Sequence, residues 1–133
     1  EQIKRFRITN LVGGYSVKKG SRSIIETLNY SNQLLADKGN LVLIFPQGEI
    51  QSVYKTVIQF EKGIEKIIQD NLGNIQIIFI ANLVDYYSKE KPTLFMYFEE
   101  YMPTESSLVS IEKEYNKFYS GCISVNINKS DVQ

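Results

Sequence analysis

The chain has no histidine in its 133 residues, so these residues alone cannot assemble a histidine triad, a histidine metal site or a histidine general base. Cysteine occurs once, as Cys122, which excludes an intrachain disulfide and a cysteine metal cluster and fits a reducing, cytoplasmic setting. No metal or bound cofactor is expected. Net charge is absent as well: 15 basic residues balance 15 acidic ones, which argues against a surface built to hold nucleic acid. Long apolar runs are missing too. The longest, 41–45 and 77–84, fall far short of the ~20 residues a membrane helix needs, and no signal-peptide pattern is visible. The expectation is a soluble chain, or one in peripheral contact with the cytoplasmic face of a membrane.

What is present is enough for one core. The apolar fraction is 43%, and 7 Phe and 9 Tyr add bulk to the aliphatic residues, so the length and composition are those of a single globular domain. The charges are unevenly placed. Lys4, Arg5, Arg7, Lys18, Lys19 and Arg22 fall in the first 22 positions, where Glu1 is the only acid. That end favours an anionic group, against the plainer reading of a solvated basic face. The first residue is Glu rather than Met; together with the missing histidine, this leads to the expectation that a catalytic part lies upstream.

Periodicity divides the chain into alternating elements. Gly13-Gly14 turns into a short strand around Tyr15-Ser16-Val17. Ser23 and Glu26 form a capping-box pattern before Ile24, Ile25, Leu28 and Leu35, which predicts a helix over 22–37. Leu41 to Phe45 is an unbroken apolar run, the pattern of a strand covered on both faces. Phe60, Ile64, Ile67, Ile68 and Leu72 share a helical face that Gly73 closes. Ile75 to Val84 predicts a strand, Lys89 to Pro92 a turn, and Leu94 to Glu99 an alternating strand, together a hairpin. Pro103-Thr104 opens a last helix with Leu108, Ile111, Tyr115 and Phe118 inward, ended by Gly121. The predicted fold class is α/β, a mixed, largely parallel sheet flanked by helices, with a domain over 1–121 and a tail or edge strand over 122–133.

Three stretches are candidates for chemistry. In "IFPQGE", Pro46 cannot continue a strand ladder and Gly48 permits a positive φ or a close ligand, so Gln47, Gly48 and Glu49 would stand at the mouth beyond a strand's carboxyl end. The plainer alternative is a tight turn whose side chains face water. In "YSVKKGSRS", Lys18, Lys19 and Arg22 surround Gly20 at a helix start, where unpaired N–H groups favour a phosphate or carboxylate, although exposed lysines at helix starts are common. The spacing is not that of a Walker A loop. In "FEKGIEKII", Gly63 inside a helical pattern suggests close packing, and Lys62 either leans towards the site or sits on a solvated face. Tyr86, Tyr87 and the Tyr97–Tyr101 stretch would meet acyl chains or lipid, or else belong to the core.

Taken in order, "YSVKK", "IFPQGE" and "FEKGIEKI" resemble the second and third conserved blocks, and the helix after them, of the glycerolipid acyltransferases, which acylate glycerol 3-phosphate, lysophosphatidate and related lysophospholipids. The resemblance covers residues 11–100. It implies a glycerol-3-phosphate acyltransferase-like partial domain, and a role in phospholipid biosynthesis. The donor substrate would be acyl-CoA or acyl carrier protein. The family's His-x4-Asp pair, which deprotonates the acceptor hydroxyl, is not in this sequence and would lie upstream, so the 133 residues alone are expected to be inactive. Lys19 stands where the family has arginine and would hold the anionic head group without a bidentate fork. Gln47 replaces an acid, so the acceptor is expected to differ from glycerol 3-phosphate, while Glu49 stands where threonine is usual and would supply the missing acid from a shifted position. Lys19 and Gln47 would converge on one pocket. The rival from another class is a non-catalytic module that binds anionic lipid or phosphate through Lys18, Lys19 and Arg22. If an upstream block normally covers the sheet, these residues alone are also expected to self-associate.

Overall fold

The computed structural model describes residues 23–129, and the chain divides into two compact units between Ile44 and Phe45. In the first, helix α1 runs over Ser23–Leu35, within two residues of the span its apolar spacing predicts. Its end is polar. Asn40 Nδ2 donates to the Leu34 carbonyl at 3.0 Å, and Asp37 Oδ1 accepts from the Gly39 amide at 3.0 Å, so the last turn is closed by side chains.

Residues 41–45 do not form the buried strand that their composition predicts. They have no ladder partner among the described residues, and Leu41 and Phe45 are 90% and 72% exposed. Extended residues become a strand only when a neighbour supplies hydrogen bonds, and apolar composition cannot create that neighbour.

The second unit holds helix α2 (Gly63–Asn71), strand β1 (Ile77–Asp85), strand β2 (Thr93–Tyr101) and helix α3 (Leu108–Ile127). The two strands are antiparallel and are the only sheet among the described residues, so no parallel pair is seen there. The predicted hairpin forms, with Ile80 opposite Phe98 and Ala81 opposite Tyr97. Asp85 shapes its turn, since Oδ1 accepts from the amides of Tyr86 at 2.7 Å and Tyr87 at 3.2 Å.

One face of the hairpin carries the core. Phe79 and Ala81 lie buried against Ile111, Phe118, Tyr119 and Cys122 of α3, with Ile58 and Ile68 completing the cluster. Phe79 stacks on Tyr101 at 4.7 Å and meets the edge of Tyr115 at 5.3 Å, geometries that aromatic quadrupoles favour. Ile111, Tyr115 and Phe118 do face inward, as their spacing indicates.

Gly121 does not end this helix. The buried face continues through Phe118, Cys122 and Asn126, spaced four apart, and that packing outweighs the ~1 kcal/mol cost of an internal glycine. Residues 122–127 are therefore helix rather than edge strand or tail. Nothing lies within 4 Å of where a Gly121 Cβ would stand. Gly121→Ala is accordingly expected to stabilise the chain by about 0.5–1 kcal/mol in denaturant unfolding, with no change in far-UV dichroism shape.

Candidate functional site

The "FPQGE" stretch folds into a tight turn whose Gly48 amide donates to the Phe45 carbonyl at 3.3 Å, with Gly48 at φ 65°. The positive φ that the sequence anticipates at this glycine is therefore present. The turn does not lie beyond the end of a paired strand. Instead it is docked on the residues that lead into α2: the Glu61 amide donates to the Pro46 carbonyl at 2.8 Å. A Cβ on Gly48 would stand 2.9 Å from Glu61 Cγ. Gly48→Ala should thus combine a left-handed backbone penalty with a clash, lowering stability by about 1–2 kcal/mol; adding Glu61→Ala should recover the clash part and leave the backbone part. Unfolding curves of the single and double variants separate the two.

The side chains of the turn differ in their surroundings. Gln47 is half-buried, and its Oε1 is shielded from solvent with no hydrogen-bond partner, as is Oε1 of Gln51. Glu49 is exposed and accepts from Gln51 Nε2 at 3.1 Å. Lys62 is exposed in a helical conformation just before α2, on the solvated-face reading of the two. Gly63 opens α2 instead of interrupting it, so it does not carry the cost of an internal helix glycine. Lys18, Lys19 and Arg22 lie outside the described residues, and so does any convergence of Lys19 with Gln47.

What holds this region in place is a pair of α3 side chains that the sequence did not mark. Asn116 Oδ1 accepts from the Ile58 amide at 2.7 Å and its Nδ2 donates to the Ile58 carbonyl at 2.8 Å, reproducing with one amide the two bonds a neighbouring strand would give. Glu112, one turn earlier, accepts from the Phe60 amide at 2.8 Å. The available signal was two polar residues four apart flanking an apolar stripe, which is also how an ordinary solvated face reads. Glu65 similarly accepts from the Leu108 amide at 3.2 Å, closing a free N–H at the start of α3.

Three titratable side chains of α3 are shifted towards their neutral forms. Burial, and then the nearby Glu99 charge, push the Cys122 thiol up from its ordinary range, so it is a protonated core residue rather than a thiolate. Burial likewise raises Tyr115, whose hydroxyl donates to the Ile80 carbonyl at 3.1 Å, and Tyr119, whose hydroxyl donates to the Lys55 carbonyl at 3.3 Å. A shallow cleft of about 450 Å³ at the base of the hairpin, lined by Ile68, Leu72, Gln76, Glu100, Tyr101 and Pro103, reaches the end of the Tyr97–Tyr101 stretch but includes none of Gln47, Gly48, Glu49 and Lys62. Among the described residues no helix is long and apolar enough to cross a membrane. No family model matches the chain, and no curated protein or solved structure matches it significantly.

Proposed function

We propose that these residues are the acceptor-binding part of an O-acyltransferase that moves a fatty acyl group from acyl-CoA or acyl carrier protein to a hydroxyl of a lysophospholipid-like acceptor. The observation that carries this reading is Gln47 Oε1, a solvent-shielded acceptor without a partner in the middle of the "FPQGE" turn. An orphan of this kind costs about 1–3 kcal/mol unless a donor satisfies it, and an alcohol hydroxyl is such a donor. Support also comes from the order of the blocks: the turn and the "FEKGIEKI" segment, which the resemblance pairs, are joined by the Glu61-to-Pro46 hydrogen bond.

In the reaction, the acceptor hydroxyl loses its proton to a base as its oxygen attacks the thioester carbonyl carbon. The C–S bond then breaks, the thiolate takes up a proton, and an ester replaces the thioester. Gln47 orients the hydroxyl and Gly48 lets the backbone approach it. The base is not a histidine of these 133 residues, so the proposal places it in flanking sequence. A sheet extended by residues 41–45, anion binding at Lys19 with Lys18 and Arg22, supporting roles for Glu49 and Lys62, and peripheral contact with the cytoplasmic membrane face belong to the same proposal.

The test is acyl transfer to lysophosphatidate and to uncharged lysolipid analogues by the protein that contains these residues together with a flanking His-x4-Asp pair. Gln47→Ala should lower kcat/KM about tenfold, and these residues alone should be silent. Flanking sequence without such a pair, or full activity in Gln47→Ala, ends the proposal.

A further inference from the structure

Phe95 and Tyr97 present their rings to a cation. The ammonium of Lys129 lies 3.9 Å from the Phe95 centroid and 5.1 Å from that of Tyr97, within the range at which a ring face attracts positive charge. The rings are held by contacts that do not involve Lys129. The Tyr97 hydroxyl donates to Asn126 Oδ1 at 3.0 Å, the Tyr87 hydroxyl donates to the Asn126 carbonyl at 2.6 Å, and Tyr87 meets Phe95 edge-on at 5.7 Å. Tyr87 itself sits at φ 45°, a left-handed conformation costly for an aromatic residue, and the Asp85 turn together with Asn126 keeps it there. The box is thus built into the hairpin and α3, whatever occupies it.

Its occupant is held weakly. Lys129 lies two residues past the end of α3, is exposed, and has no ion pair among the described residues. A lysine ammonium is also a compact, strongly hydrated charge that loses much of its solvation against a ring. A quaternary ammonium keeps the charge, is less strongly hydrated, and adds methyl groups that pack on the ring faces. Aromatic boxes are suited to that ion. We propose that Tyr87, Phe95 and Tyr97 form a binding site for a quaternary ammonium group, with Lys129 as its internal competitor. This site is independent of the acyl-transfer reading, because it shares no residue with the "FPQGE" turn.

The probe is tetramethylammonium chloride, added to the wild-type chain, Lys129→Ala and Lys129→Gln while ring resonances of Phe95 and Tyr97 are followed by NMR, with sodium chloride and the neutral isostere 3,3-dimethyl-1-butanol as controls. Both Lys129 variants should show saturable shifts in the millimolar range. The wild type should need about two- to fivefold more cation, the advantage that an exposed cation–π contact confers. Adding Phe95→Leu to Lys129→Ala should abolish saturation. Choline and phosphatidylcholine vesicles form the next arms: saturation by choline alone points to a free small cation, and saturation by vesicles to a lipid headgroup. The proposal is overturned if both dispersed, folded Lys129 variants fail to saturate, if the neutral isostere acts equally well, or if the wild type responds identically to them.

Discussion

Asn116→Leu is expected to lower the unfolding free energy by about 2–5 kcal/mol, because it leaves both backbone groups of Ile58 unpaired beneath α3 while preserving side-chain volume and helix propensity. Ile58 is buried, so water cannot readily replace the lost amide. The loss is large against the 5–15 kcal/mol that is usual for a domain. Asn116→Asp should also destabilise, since a carboxylate still accepts from the Ile58 amide but loses the donations to the Ile58 and Glu112 carbonyls, both at 2.8 Å, and turns an oxygen towards them. Hydrogen exchange locates the damage: the amides of Ile58 and Phe60 should lose protection before those of β1 and β2. A shift below about 0.5 kcal/mol in Asn116→Leu would mean that the clamp is geometrically present but energetically idle. The consequence for function follows from chain order. Residues 58–60 hold Glu61, and Glu61 holds Pro46, so loosening Ile58 should disorder the Gln47 turn without any substitution in it.

Elements that satisfy their own backbone were legible in the sequence. α1 and α2 were readable from a 3.6-residue apolar period, and the hairpin from an apolar stretch before and an alternating one after a Lys-Glu-Lys-Pro turn, because each closes its hydrogen bonds locally or with its sequence neighbour. Residues 41–45 show where such reading stops. Their composition reports a preference for burial in a sheet, but it carries no information on whether a partner is at hand. Gly121 failed for the opposite reason: a local stop signal worth ~1 kcal/mol was outweighed by the buried row from Phe118 to Asn126. At the candidate site, a glycine with positive φ could be anticipated from Phe-Pro-Gln-Gly. The Asn116 clamp could not, since it links positions 58 apart and nothing local distinguishes Asn116 from a surface asparagine.

The chain by itself is expected to dimerise reversibly, with Phe98→Glu raising the dissociation constant at least about tenfold, the equivalent of ~1.4 kcal/mol. The hairpin has two apolar faces and α3 covers one. On the other, Ile80 pairs with Phe98, Val84 with Leu94 and Asn82 with Met96, and Phe98 remains 59% exposed. An antiparallel sheet that ends at solvent usually turns polar residues outward, and an apolar patch of more than a few hundred Å² marks a surface that something covers. A second copy suits this one by charge. Lys89 and Lys91 stand at the turn of the hairpin and Glu100 at its base on this face, so a two-fold pairing with strands antiparallel across the interface sets each basic end over the partner's acidic end. Two such faces bury roughly 1,000 Å² together, at the low end of stable interfaces, so the affinity should be micromolar or weaker and should fall as salt rises. Sedimentation velocity over a concentration series reads both effects. A wild-type chain that remains a monomer to high micromolar concentration, or a Phe98→Glu variant that associates equally well, would show that solvent alone faces Phe98. Under the acyl-transfer reading, joining these residues to their flanking sequence should also suppress the association, because the same face would then be covered from within the protein.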